Sequence, residues 1–285
     1  MEPSNRTDFT FTVRRMTRAD VDRALDWAAA EGWNPGIHDA DCFYATDPHG
    51  FWIGELAGEP IACLSAVAYD ERFGFLGLYI VKPDFRGQGF GLQLWNAGLA
   101  YLGPRTIGLD GVVTQQDNYR KSGFTLAYRT IRYEGRGGQV GNHNTVKLSA
   151  LPFHVVMAYD SGLFPVPRPR FLRGWIEPPE GAALGILRNG QLRGYGVLRA
   201  CRRGFKMGPL FADDAGSAEQ LFLALASQTP EAPIFLDVPV ANAAAADLAQ
   251  RHTMKPVFET ARMYTREPPR LPLERCFGVT TLELG

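Results

Sequence analysis

Apolar positions along this chain switch between two spacings, every second residue and every third or fourth, and the switches mark out its elements. Alternation over Phe9-Thr10-Phe11-Thr12-Val13 predicts a strand. Thr17 stands where a helix N-cap would, with Asp20 at the capping-box position, and Val21, Leu25 and Ala28 share one face of a helix ending at Ala30. The stretch 31–50 is broken by Trp33-Asn34-Pro35-Gly36 and by His38, Asp39 and Asp41, and reads as loop. Runs 51–56 and 60–69 predict two strands joined around Gly58, and 75–81 predicts a third. A helix to about Leu102, a strand over 106–113, a short helix over 115–122 and a strand over 124–133 follow.

Residues 135–144 are polar and glycine-rich, which places a boundary near 145–155 and divides the chain into 1–148 and 149–285. The second half repeats the theme. Strands fall at 183–187 and 194–201, then a helix at 217–226, a strand at 233–238, an alanine-rich helix at 241–251 and a strand at 257–264. Both halves read strand-strand-strand-helix-strand-helix-strand, for which internal duplication is the economical explanation. The closing run 277–285 alternates too regularly for a loose tail and is expected to dock as a strand.

Composition narrows the class of protein. With 285 residues, two ordinary cores are affordable, and 45% hydrophobic with 21% charged residues is ordinary for a globular chain. Thirty basic and thirty acidic residues cancel, so no whole-molecule charge favours nucleic acid or an anionic membrane. Cys42, Cys63, Cys201 and Cys276 lie far apart without a metal-type spacing. They read as free thiols in a reducing compartment, Cys63 within an apolar strand and therefore core rather than nucleophile. No run approaches the ~18 apolar residues of a membrane span, and residues 1–8 lack an apolar signal core. The expectation is a soluble cytoplasmic protein without a metal.

The most informative chemistry is Arg86-Gly87-Gln88-Gly89-Phe90-Gly91, between the apolar strand 75–81 and the helix-like Leu92-Gln93-Leu94-Trp95. Glycines there allow φ > 0 and close approach, and a helix N-terminus aims N–H groups and partial positive charge at an anion. Arg86 adds a full charge, so a pyrophosphate is the natural guest. The dinucleotide fingerprint fails, because the spacing is G-x-G-x-G after a mid-domain strand, and the P-loop Lys-Ser/Thr is missing.

The segment 79–91, with Arg86, Gly89 and Gly91 in fixed positions, resembles the acetyl-CoA signature of the GNAT superfamily of N-acetyltransferases. Tyr119-Arg120-Lys121-Ser122-Gly123-Phe124 is similar to a second motif of that family, in the right order and at about the right distance. The resemblance implies an α/β fold in each of two GNAT-like domains, a twisted and mostly antiparallel mixed sheet flanked by helices. It implies acetyl-CoA as acyl donor and direct transfer to a primary amine. Tyr79, Ile80 and Val81 would form the strand edge that pairs with the pantetheine arm. Backbone N–H groups of Gly87, Gln88, Gly89, Phe90, Gly91 and Leu92 would hold the pyrophosphate beside Arg86. Tyr119 would protonate the leaving thiolate, a balanced exchange for a phenol near ~10 and a thiol near ~8.5.

An alkyl amine is mostly protonated at pH 7, so a base is needed. The strand before the loop has no carboxylate between Phe73 and Val81. Candidates are His38, Asp39, Asp41, Glu31 and Asp110, with a water chain to the backbone as an equal alternative. His38 and Asp110 are taken as the catalytic pair. Glu31, Trp33, Asp39 and Asp41, with Phe43 and Tyr44 nearby, are taken as an acidic and aromatic acceptor wall that suits a small cation. The rival readings are a non-catalytic acyl-CoA-binding module and a protein N-terminal acetyltransferase. In the second half, Phe205–Gly216 stands where the signature would be but lacks it, and Asp213 and Asp214 put negative charge where a pyrophosphate would lie. That half is expected not to bind CoA.

Overall fold

The computed structural model describes residues 10–138, 144–229 and 231–285. Phe9, the start of the first expected strand, and residues 139–143 of the expected loop lie outside them. The first half runs β1 (Phe11–Arg15), α1 (Arg18–Ala30), α2 (Asp39–Thr46), β2 (Phe51–Leu56), β3 (Glu59–Ala68), β4 (Phe73–Val81), α3 (Phe90–Leu102), β5 (Thr106–Val112), α4 (Gln116–Lys121) and β6 (Thr125–Arg136). The second runs β7 (Val146–Lys147), α5 (Phe153–Asp160), α6 (Pro169–Trp175), β8 (Gly181–Arg188), β9 (Gln191–Ala200), β10 (Phe205–Ala212), α7 (Ala215–Ala226), β11 (Pro233–Pro239), α8 (Ala243–Arg251), β12 (Lys255–Tyr264) and β13 (Cys276–Gly278).

Local chemistry explains the element ends. Thr17 and Asp20 form the expected reciprocal capping box, and Val21, Ala24, Leu25 and Ala28 make the buried face of α1. Within 31–50, where a loop was expected, α2 forms without a side-chain cap. Tertiary packing holds it: Phe43 is fully buried and stacks on Trp175 of α6 at 6.0 Å.

Among the described residues all thirteen strands belong to one sheet, ordered β1-β2-β3-β4-β5-β12-β6-β11-β10-β9-β8-β7, with β13 on β10. The order contains an exchange. β12 of the second half lies antiparallel between β5 and β6 of the first, and β6 in turn pairs with β11. Matching buried ion pairs cross these seams. Arg262 on β12 faces Asp110 on β5 in register, with N···O distances of 2.8 and 2.6 Å. Arg132 on β6 faces Asp237 on β11, at 2.7 and 2.9 Å. One apolar cluster also spans the halves, joining Val21, Leu25 and Phe43 to Trp175, Tyr195 and Leu284.

The closing run departs from expectation. Strand pairing covers only Cys276–Gly278, and residues 279–285 are buried without joining a ladder. Their polar groups are satisfied individually: Val279 N–H donates to the Asp237 carbonyl at 2.9 Å, and the Tyr69 hydroxyl donates to the Leu284 carbonyl at 2.9 Å.

Candidate active site

The site begins where β4 leaves β5. The two strands run parallel from Phe73↔Thr106 to Leu76↔Leu109, and pairing stops there. On the other side of β4, Cys63↔Ile80 and Ser65↔Gly77 set two steps of β3 against three of β4, a bulge. Inside it Leu78 adopts φ 47°, a left-handed conformation that costs a non-glycine residue about 1–3 kcal/mol. The bulge turns β4 away, and a cavity of about 540 Å³ opens between its last residues and β5.

One end of the cavity is the glycine loop. Gly87 and Gly89 have φ of 75° and 85°, with no atom within 4 Å of where a Cβ would stand. They are glycines for conformation rather than for space. Gly91 is the opposite case, because a Cβ there would press on the Tyr79 hydroxyl. The N-terminus of α3, beginning at Phe90, points into this loop and gives it the dipole and free N–H groups an anion needs. Arg86 is partly committed, donating from Nε to the Val81 carbonyl at 2.8 Å and from Nη2 to Glu31. Of the residues expected here, Tyr79, Ile80, Val81, Arg86, Gly87, Gly89, Gly91 and Leu92 line the cavity. Gln88 and Phe90 do not: the Gln88 amide donates to the Asp84 carbonyl at 3.1 Å, and Phe90 packs on Phe11 at 4.8 Å.

An acyl-CoA fits these surroundings. The loop supplies an anion cradle and the diverging strand an unpaired backbone edge. Two lining residues, Trp95 and Thr260, carry buried polar side-chain atoms without a protein partner.

Tyr119 stands on α4 in the same cavity, its ring against the backbone of Gly111, where a Cβ would collide with it. It stacks on Trp95 at 5.7 Å, and Trp95 in turn contacts Tyr79 at 5.2 Å. Burial, with a smaller contribution from Tyr79, pushes the Tyr119 phenol up to about 12. The balanced exchange expected with a thiol therefore shifts: Oη keeps its proton through neutral pH and is a weaker acid than a solvated phenol.

The expected bases fare differently. Asp110 lines the cavity, but both its oxygens are taken by Arg262, which makes it a seam residue rather than a free base. His38 lies elsewhere, paired with Glu180 at 2.9 Å. Asp39 is buried, held by Arg199 and by the Gly36 N–H at 2.9 Å. Asp41 is exposed on α2, accepting from Arg18 at 2.6 Å. Glu31 and Trp33 do line the cavity, Trp33 fixed through its carbonyl by Arg132 at 2.6 Å. Cys63 is buried as expected, its thiol donating to the Leu78 carbonyl at 3.1 Å and pushed up by burial.

Sequence reasoning missed the far wall, Phe258, Thr260, Leu282 and Glu283, all from the second half. One signal was present: Glu283 is the sole charged residue in the run 276–285.

Comparison with known proteins agrees with this geometry. The profile of the acetyltransferase (GNAT) family matches residues 18–124, and that of an acetyltransferase (GNAT) domain matches 156–278. The holothin acyltransferase of Pseudoalteromonas sp. (strain SANK 73390) is 30% identical over 280 residues, covering 97% of this chain and 95% of that protein. The chain belongs to the GNAT acyltransferases. Solved structures share the fold along its whole length. One from Pyrococcus horikoshii, assigned as an acetyltransferase, superposes with a TM-score of 0.83 at 22% identity, covering 100% of this chain and 99% of the other. A tandem GNAT protein from the clavulanic acid biosynthesis pathway gives 0.61 at 13% identity, covering 92% and 100%. No helix among the described residues is long and apolar enough to cross a membrane.

The second GNAT unit repeats the splay and fills it. β10 and β11 run parallel from Phe205↔Ile234 to Met207↔Leu236, and a bulge follows, where Met207 to Leu210 faces only Leu198 to Gly196 of β9. Beyond the bulge, Leu210 and Phe211 pair with Gly278 and Cys276 of β13. The edge that faces a cavity in the first unit is thus occupied by the chain itself. Asp214 caps α7 through the Ser217 N–H at 2.8 Å, and Asp213 is held by Arg275 and Tyr159, at 2.6 and 2.9 Å. The turn after α4, where the Phe124 N–H donates to the Tyr119 carbonyl at 3.1 Å, is matched after α8 by Met254 N–H to the Ala249 carbonyl at 3.0 Å. An alanine therefore stands where the first unit has its tyrosine.

Proposed function

We propose that the protein transfers an acetyl group from acetyl-CoA directly to a primary amine, at one site, with 1–148 as the catalytic unit and 149–285 closing the acceptor side. The observation that carries this reading is a single cavity lined at once by the glycine loop, Tyr119, and the second-half residues Phe258, Leu282 and Glu283.

When bound, acetyl-CoA supplies an activated thioester. The chain does the rest. N–H groups at the start of α3, with Arg86 beside them, hold the pyrophosphate. The β4 edge past the bulge offers the backbone of Tyr79 and Val81 to the pantetheine amides, although Arg86 already occupies one lone pair of the Val81 carbonyl. Tyr119 Oη holds a proton close to the departing sulfur. Trp33, Phe258 and Leu282 give the acceptor an apolar lodging, and Glu283 offers its nitrogen a carboxyl oxygen, Glu31 being already held by Arg86. An amine with an apolar body therefore suits the site better than a highly charged polycation. Similarity to the holothin acyltransferase over nearly the whole chain makes holothin a sensible member of any acceptor screen.

Thiol release from acetyl-CoA, corrected for hydrolysis, is expected to rise with at least one acceptor among holothin, polyamines, amino acids, aminoglycosides and N-terminal peptides. If none stimulates release, the proposal fails. Tyr119→Phe is expected to lower turnover on the order of 10²-fold with donor affinity within about 3-fold. Because burial raises this phenol to about 12, its proton is retained through neutral and mildly alkaline pH. The wild-type rate should therefore show no falling limb below about pH 10 that Tyr119→Phe removes.

A further inference from the structure

Amine transfer needs a proton acceptor, and the structure leaves the first unit's own candidates committed. Asp110 gives both oxygens to Arg262, Glu31 binds Arg86, and His38, Asp39 and Asp41 lie outside the cavity. Glu283 differs from all of them. It lines the cavity while only 3% exposed, and its one side-chain partner is the Thr281 hydroxyl, which donates to Oε2 and accepts from the Glu283 N–H at 3.1 Å. Oε1 has no hydrogen-bond partner among the described residues.

Its position is fixed from several sides. The Glu283 carbonyl packs on Gly77, where a Cβ would collide with it, directly before the left-handed Leu78 that starts the splay. Arg168, itself clamped by Asp160 at 2.8 and 2.9 Å, donates to the Thr281 neighbour Thr280 at 2.9 Å. The Leu284 carbonyl is held by Tyr69. Charged groups in its electrostatic neighbourhood include Asp110 on β5, Arg132 on β6 and Arg199 on β9. Each is already paired, with Arg262, Asp237 and Asp39. Lys206, buried and with Nζ unpartnered, acts on Asp237 in the same network. Arg132, Arg199, Arg262 and Lys206, with Asp39 and Asp237, are all buried, as is the side chain of Asp110.

We propose that Glu283, delivered by the second unit into the first unit's cavity, is the general base of the reaction. The inference rests on the amine-acyltransfer reading above. The acceptor's ammonium N–H bond breaks toward Glu283 Oε1, the electron pair stays on nitrogen as the nucleophile, and Glu283 returns the proton to water within the turnover.

The test compares wild type with Glu283→Gln, using acetyl-CoA and the best amine of the screen. At pH 7 the variant is expected to lose on the order of 10²–10⁴-fold in kcat/KM for the amine, with the KM for acetyl-CoA within about 3-fold. The loss should shrink with rising pH as solvent deprotonates the amine, and it should nearly vanish with hydroxylamine, a weakly basic probe. Unchanged activity, or a loss equal at every pH and with both nucleophiles, overturns the base. Should Glu283→Gln fail to bind CoA, Glu283→Asp and Thr281→Val decide the matter. Glu283→Asp keeps a titratable group and should retain activity that rises with pH as in wild type. Thr281→Val removes the orienting hydroxyl and should lower kcat on the order of 10-fold at unchanged donor KM. Wild type without any amine-dependent thiol release overturns the amine-transfer reading itself, whereas an active wild type with an equally active Glu283→Gln overturns the base alone.

Discussion

The two halves share one backbone device and put it to opposite ends. In each, a strand runs parallel to its neighbour, bulges and swings away. In the first the gap is a cavity; in the second β13 lies in it. The loop between β10 and α7 is two aspartates that serve as cap and ion-pair partner instead of an anion cradle, and Ala249 replaces Tyr119 in the matching turn. The second unit thus keeps the strand topology of the splay without its left-handed residue, Leu78 having no counterpart between Met207 and Leu210. What the second unit contributes is its closing segment, which fills its own gap and then lines that of its neighbour.

The comparison breaks most visibly at its seams. Arg262→Met leaves Asp110 buried without its partner and is expected to cost about 3–5 kcal/mol in denaturant unfolding, most of it regained by Asp110→Leu with Arg262→Met. Arg132→Met should cost the same or more, since Arg132 also fixes Trp33. A loss below about 1 kcal/mol at either seam would mean these pairs do not hold the exchange. Next in size are Gly77→Ala and Gly208→Ala, which push a Cβ into the closing segment from opposite sides, against the carbonyls of Glu283 and Thr280. Each is expected to cost about 1–3 kcal/mol of stability. Only Gly77→Ala should also depress thiol release beyond its loss of folded protein; equal depression by both would show that the segment acts as a unit. The smallest effect is expected from Asp213→Asn with Asp214→Asn. If β13, rather than negative charge, keeps CoA out of the second unit, titration calorimetry still finds one donor site per chain. A second site would restore the electrostatic explanation.

The loop and Tyr119 were legible because their chemistry is local: φ > 0 demands glycine, and one turn carries the tyrosine. α1 was legible through its capping box. α2 was not, since eight residues of weak amphipathicity are helical only against Trp175. The strand exchange left no trace, because β6 and β12 alternate in the same way whichever neighbour they take. Asp110 looked like a base because nothing near it in sequence announces Arg262. Glu283 was hidden by the same distance, on a segment whose alternation suggested a strand but whose pairing stops at Gly278.

The exchanged strands also set the order in which this molecule can be built during synthesis. β6 does not settle beside β5, because that place is taken by Lys255–Tyr264, so the first half leaves the ribosome with open sheet edges at β5 and β6. Its sheet closes only when Lys255–Tyr264 has emerged, and contacts of such long sequence separation form slowly. The two repeats therefore complete one sheet together, and a chaperone would meet the nascent first half as a half-sheet waiting for its missing strand.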